Sequence, residues 1–261
     1  MTKTLRCALL GALAAVSITV AHAADVVLLS AGAVEPGLKP VLAAFERESG
    51  HRVMLSFATA PQIREQVASG AAQPDLVIAP TAVLDELATA VKVDTTARVS
   101  IGRVGIGVAV RPGGPRPDLT SAETLKRALL EADAVVYNRA STGLYVEALI
   151  KRWGLTEALQ AKTLRFADGA SVAQHVLHAS GNQIGMGAMT EILLLKERGL
   201  VLVGPLPAEV QNVTHYEAAP ALRGSGAGAA APSAAVRSLL DKLASPAARR
   251  TFEDAGIAAA R

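Results

Sequence analysis

VMLSFATAPQIREQVASGAAQPDLVIAP, residues 53–80, decides the fold. Val53 to Phe57 reads as a short buried strand, and Ala58, Thr59, Ala60 and Pro61 follow with almost no side chain to obstruct an approaching ligand. From Gln62 the apolar positions Ile63, Val67 and Ala68 recur at helical spacing, Arg64, Glu65 and Gln66 take the wet face, and Gly70 closes the turn. Asp75 to Ala79 supplies the next strand, continuously apolar as strands covered on both faces are. The unit is strand, bare loop, helix, strand. The first amides of a helix have no internal partner and carry partial positive charge, so such a loop favours an anion.

The pattern repeats in both directions. Upstream, Val26 to Ser30 reads as a strand, and AGAVEP (31–36) as a second bare loop opening a helix that runs to about Glu48. Downstream, a helix from Pro80 to about Val91 is followed by SIGRVGIGVAVR (100–111), whose spaced glycines and closing Pro/Gly cluster suggest a backbone crossing between lobes. Ser121 to Ala132 reads as a helix and Ala134 to Tyr137 as a strand. NRASTG (138–143) is then a third loop, leading into a helix that ends at Trp153. A helix over 170–179, a strand over 183–187, a fourth loop opening a helix over 188–198, and strands over 200–203 and 213–219 complete the series. Residues 225–232, SGAGAAAP, have linker composition, and helices over 233–244 and 246–255 close the chain. Alternation this regular implies mostly parallel sheets in an α/β fold.

Composition narrows the function. Half the 261 residues are apolar, enough for a sizeable core, and 26 basic against 23 acidic residues leave a formal charge of +3 without long runs of either sign. Nothing there marks a nucleic-acid partner. Residues 1–23 carry Lys3 and Arg6, an apolar run over 8–20 and the small-x-small end Ala21-His22-Ala23. We read them as a cleaved secretory signal, the run being shorter than the roughly 20 residues that span a bilayer. Cys7, the one cysteine, lies inside that segment, so the exported chain is expected to have neither disulfide nor thiolate site.

The order and spacing of four motifs resemble the type II periplasmic solute-binding proteins, and more narrowly the molybdate-binding subunits of ABC importers. SFATAPQIREQVASGAAQPDLVIAP (56–80) parallels the serine-rich loop, Gln-Ile helix and Asp-strand of that family. STGLYVEALIKRWGL (141–155) parallels its Pro-Ala-Gly-x-Tyr helix; GASVAQHV (169–176) and GNQIGMGAMTEI (181–192) parallel its last two loops. The resemblance implies two lobes, each a mostly parallel sheet flanked by helices, with two crossing strands as hinge. The boundaries expected are 24–103 plus 217–261 for the first lobe and 104–216 for the second.

It also implies a monomeric periplasmic receptor that closes on a tetrahedral oxyanion, delivers it to a membrane permease, and catalyses nothing. Carried over residue by residue, the first-loop serine falls at Gly32 or Ser30, and the paired serines of the second loop at Thr59 and Ala60. The backbone donors fall at Thr142 and Val172, and the fourth-loop tyrosine at Ala188. Two hydroxyls are thereby lost, at Ala60 and Ala188, and a third if the first-loop serine falls at Gly32, each worth roughly 1.5–3 kcal/mol against an anion, when a micromolar affinity amounts to only about 8 kcal/mol. Thr59, Ser141, Thr142 and Arg139 are the replacements at hand, Arg139 either gripping a carboxylate or oxyanion or standing as a solvated loop arginine paired with Asp168 or Glu147. The ligand expected is a small anion, molybdate or tungstate, with an organic carboxylate as the alternative.

Other classes find less support. LLSAG (28–32) lacks the leading glycine of a nucleophile elbow, and no G-x-S-x-G occurs, which argues against a serine hydrolase. His175 and His178, and His215 near Glu217, have no third ligand at metal-site spacing. A transcriptional sensor of this fold would carry a DNA-binding segment, for which no pattern appears.

Overall fold

The computed structural model describes residues 24–222 and 231–260; the expected signal segment and most of the linker-like stretch fall outside the described residues. Three parallel strands begin the fold: β1 (Asp25–Ala31), β2 (Arg52–Ala58) and β3 (Leu76–Pro80), with β1 central. Asp75 pins that core at its start: its carboxylate accepts the Val27 N–H at 2.9 Å, and its own N–H donates to Val27 O at 2.8 Å. Between the strands lie α1 (Glu35–Ser49), preceded by a 3-10 turn over Gly32–Val34, and α2 (Ala60–Ser69). Both end on glycines in the left-handed region, Gly50 and Gly70, where a side chain would be strained. Next comes α3 (Thr81–Thr89).

The long strand β4 (Val99–Val110) then leaves this lobe for the second. Its first part pairs antiparallel with β9 (Val213–Pro220), which lies against β3; its second part pairs with β7 (Gln183–Ala188) and β8 (Val201–Pro205). The glycines expected to ease this crossing do so at Gly102, where the ladder shifts register and φ is +142°. A β-carbon there would lie 2.6 Å from Ala258 O, because Arg103 and Ala258 exchange backbone hydrogen bonds that tie the chain end to the crossing strand. In the second lobe, β5 (Ala134–Asn138) lies parallel between β7 and β6 (Thr163–Phe166). Around it stand α4 (Ala122–Glu131), α5 (Ser141–Arg152), α6 (Thr156–Gln160), α7 (Gly169–Leu177) and α8 (Met189–Leu193).

Two elements differ from those expected of the sequence. The helix expected over 188–198 stops at Leu193 and gives way to a 3-10 turn over Lys196–Arg198, because the Leu195 N–H already bonds Ile192 O and the chain must turn at Gly199 (φ +99°) into β8. The α6–β6 unit went unread, its TEALQ and TLRF being too short to show a period.

Burial follows this division. Val26, Leu28, Leu38, Phe45, Ile63, Ile78 and Leu84 form one core, joined from the chain end by Leu239, Leu243 and Phe252 of α9 (Ala234–Ala244) and α10 (Pro246–Asp254). The second lobe has a core on each face of its sheet, Leu125, Val135, Leu149 and Met186 on one side, Val136, Val172, Val176 and Ile192 on the other. Sheets covered on both faces explain why LVIAP and AVVYN are buried at every position.

Candidate functional site

The strands point their C-terminal ends at a cavity of about 280 Å³ between the lobes. Ala31 to Ala33 and Glu35 line it after β1, Phe57 to Ala60 and Gln62 after β2, Asn138 and Ala140 to Thr142 after β5, and Asp168 to Ala170 at the head of α7. Glu191 of α8 and Tyr216 of β9 complete the wall. Thr59 and Thr142, from opposite lobes, thus face one space.

Each loop is held by a side chain that takes some amides and leaves others. Asn138, buried at 1% exposure, accepts the N–H groups of Ala140 (3.0 Å) and Gly143 (2.9 Å) through one oxygen, Oδ1. The intervening amides of Ser141 and Thr142 have no acceptor among the described residues. Asp168 caps α7 by accepting the Ser171 N–H at 2.8 Å, and Gln62 Oε1 accepts both the Thr59 N–H and the Thr59 hydroxyl, each at 2.9 Å. The beginning of α5 therefore offers free amides to the cavity, where acceptor groups of a guest are favoured.

The electrostatics are less simple. Among the described residues no lining side chain carries a positive charge, whereas three carry carboxyls: Glu35, Asp168 and Glu191. Glu35 pairs with Lys39, an exposed cation that also lies 5.8 Å from the centre of the Phe57 ring. Among the described residues Glu191 has no such cation. Its carboxyl is enclosed by the two lobes, against Gly32 on one side and Gly169 on the other. Burial, then the charges of Asp168 and Glu35, push its pKa up to about 7, against a smaller opposing hydrogen bond from the Ala188 N–H. Burial, and secondarily the Glu191 charge, likewise push up the Tyr216 phenol, which stays protonated as a donor. Beside Glu191, Thr190 donates from its hydroxyl to Ala33 O at 2.6 Å, a fully buried bond between lobes.

Of the residues expected at the site, Gly32, Thr59, Ala60 and Thr142 line the cavity, and Ser30, Arg139, Val172 and Ala188 do not. Ser30 is wholly buried and donates to Ala31 O; Val172 and Ala188 are buried at 2% and 3% exposure. Arg139 is exposed in another hollow, beside Tyr137, Leu144 and Glu147, and Glu147 pairs with Arg165 rather than with it. Sequence reasoning missed Asn138, Asp168, Glu191 and Tyr216. One signal was available: Glu191 is the lone charge in MGAMTEILLL (186–195), directly after a bare loop.

The pattern of the bacterial extracellular solute-binding protein family matches residues 26–258, nearly the whole described chain. The chain belongs to that family. Among its relatives, this solute-binding protein is 29% identical over 237 residues to a protein named aconitate isomerase from a Pseudomonas species, covering 88% of this chain and 86% of that one. Its fold is that of the Azotobacter vinelandii periplasmic molybdate-binding protein (TM-score 0.71, 14% identity, 90% of this chain and 100% of that one). It is also that of the sulfate-binding protein SubI from Mycobacterium tuberculosis (TM-score 0.64, 16% identity, 90% and 86%). The two-lobe solute-binding architecture expected from the motifs is therefore present, and the resemblance to molybdate-binding proteins holds at the level of fold.

Proposed function

We propose that this solute-binding protein takes a small polycarboxylic acid, of the size and charge of aconitate, into the cavity between its lobes. On this reading it acts in the periplasm as the receptor of an ABC importer and passes the acid to the membrane permease. The observation that carries the reading is the pairing of uncompensated helix-start amides and hydroxyls with the cation-free carboxyl of Glu191. Carboxylate groups of the guest accept from the hydroxyls and amides of Ser141 and Thr142, while the proton that Glu191 holds near neutral pH relieves the repulsion of like charges. An inorganic oxyanion could accept that proton as well as a carboxylate could, so the choice between the two ligand classes rests on the relative whose name gives an organic acid. The organic acid, the alternative in the sequence reading, thus becomes the preferred ligand. The relative named aconitate isomerase supports the same substrate class.

That name also supports a second reading, in which the bound acid is isomerised rather than only carried. Thermal unfolding of the exported chain with trans-aconitate, cis-aconitate, tricarballylate, molybdate and sulfate tests the ligand. An acid at 100 times its Kd stabilises by about 2.7 kcal/mol. Stabilisation by molybdate or sulfate with none by the three acids would overturn the proposal.

A further inference from the structure

We propose that Glu191 is a catalytic residue: its carboxylate removes a carbon-bound proton from an unsaturated polycarboxylic acid held in the cavity and returns it to the same allylic system. The inference rests on the polycarboxylate reading above and deepens it.

Position comes first. Among the described lining carboxyls Glu35 pairs with Lys39 and Asp168 caps α7 at the rim, whereas Glu191 is the one whose carboxyl lies where both lobes close on it, holding no cation and accepting only the Ala188 N–H that opens α8. It sits where the lobes meet, its oxygens next to Gly32 and Gly169, so a guest held by loops of both lobes lies against it. The glycine at 169 leaves room for the carboxyl there, since a β-carbon would lie 1.8 Å from Oε2.

The chemistry fits the surroundings. A C–H between a carboxylate and a carbon–carbon double bond is acidified when the carboxylate it feeds accepts hydrogen bonds, and the Ser141 and Thr142 amides stand ready for that role. The C–H bond breaks, its proton forms an O–H bond on Glu191, and the electron pair spreads over the three-carbon system into the carboxylate. In that delocalised anion the former double bond turns. Glu191 then gives the proton back to a terminal carbon, the double bond re-forms with the other geometry, and the carboxylate is regenerated. Nothing is oxidised or reduced. The neutral Tyr216 phenol, on the same wall, donates toward the developing charge. A base whose pKa lies near 7 is matched to taking and returning a proton at neutral pH.

The test is proton NMR of trans-aconitate with the protein in D2O, beside calorimetric binding of the same acid. The expected result is loss of the methylene signal to deuterium, appearance of cis-aconitate, and a rate that rises with pH through an apparent pKa near that of Glu191. Glu191→Gln should lower the exchange rate by roughly 100-fold or more, while changing Kd far less. Should that variant fail to fold, the wild-type pH profile decides, a flat profile overturning the proposal. Binding with neither exchange nor formation of cis-aconitate overturns the catalytic role and leaves the polycarboxylate reading intact. Exchange at the wild-type rate in Glu191→Gln overturns Glu191 alone. Absence of both binding and exchange overturns inference and reading together.

Discussion

Glu191 and Gly169 meet so closely that a β-carbon on the glycine would lie 1.8 Å from Glu191 Oε2 and 2.4 Å from the carboxyl carbon. The contact joins the head of α7 to α8 and decides where the Glu191 carboxyl points in the cavity. Gly169 is not at a positive φ, so alanine suits its backbone, and the carboxyl, as the end of a flexible chain, yields instead. Gly169→Ala is therefore expected to fold, with unfolding free energy within about 1 kcal/mol of wild type. With the carboxyl driven from its place, affinity for trans-aconitate should fall at least about tenfold, or 1.4 kcal/mol. Calorimetric titration measures it; unchanged affinity would show that the position of Glu191 is irrelevant to binding.

The same carboxyl sets a pH dependence of stability. Its pKa in the folded chain is about 7, raised from an ordinary 4.5, so folding favours the protonated form. Below pH 4.5 the group is neutral in folded and unfolded chains alike and costs nothing. As pH rises toward 7 the unfolded chain releases the proton that the folded chain retains, and stability is lost, by about 3 kcal/mol once both are ionised. Glu191→Gln removes that cost. Its unfolding free energy relative to wild type should rise between pH 5 and pH 8 by an amount of this order, measured by urea titration at each pH. A difference independent of pH would mean that the carboxyl ionises in the fold as it does in water.

Much of the fold was legible because strand and helix periods are local. VMLSFATAPQIREQVASG announces its strand, cap and helix within eighteen residues, and Thr59 and Gln62 form the hydrogen bonds that such a cap implies. The site was legible only in part, because its chemistry is assembled across the chain. Glu191 acquires its character from Gly32, Glu35 and Asp168, none within twenty residues of it, and Tyr216 reaches the cavity from the return strand. Arg139 misled for the same reason: it is the conspicuous charge of its loop, yet side chains turn by local geometry, and the loop faces the cavity with Asn138, Ser141 and Thr142.

Asn138 and Gly143 form the most demanding turn of the site. A β-carbon at Gly143 would lie 1.7 Å from Asn138 O, a backbone atom unable to swing aside, so Gly143→Ala should cost at least about 3 kcal/mol. Asn138→Ala leaves a buried N–H at Gly143 and a half-buried one at Ala140 without their acceptor and should cost about 2 kcal/mol. Urea unfolding checks both. If Asn138→Ala proves as stable as wild type, those amides are satisfied without the side chain, and the neighbouring donors are not held by it.

Arg139 yields the prediction most opposed to its appearance in the sequence. An arginine beside an anion site is ordinarily the first residue to mutate. Here its side chain is exposed, in the hollow shared with Tyr137, Leu144 and Glu147, away from the lining of the cavity. Exposed charges are screened over about 8 Å at physiological ionic strength, and a surface substitution away from buried features shifts stability by less than about 0.5 kcal/mol. Arg139→Ala should therefore leave the Kd for trans-aconitate within about twofold at physiological salt, whereas Thr142→Ala, which removes a lining hydroxyl worth about 1.5 kcal/mol or more to a charged guest, should weaken it about tenfold. Side-by-side calorimetry of the two variants measures the contrast. A larger loss at Arg139 than at Thr142 would mean that the guanidinium reaches the guest in the bound state and that the cation of the site comes from that loop after all.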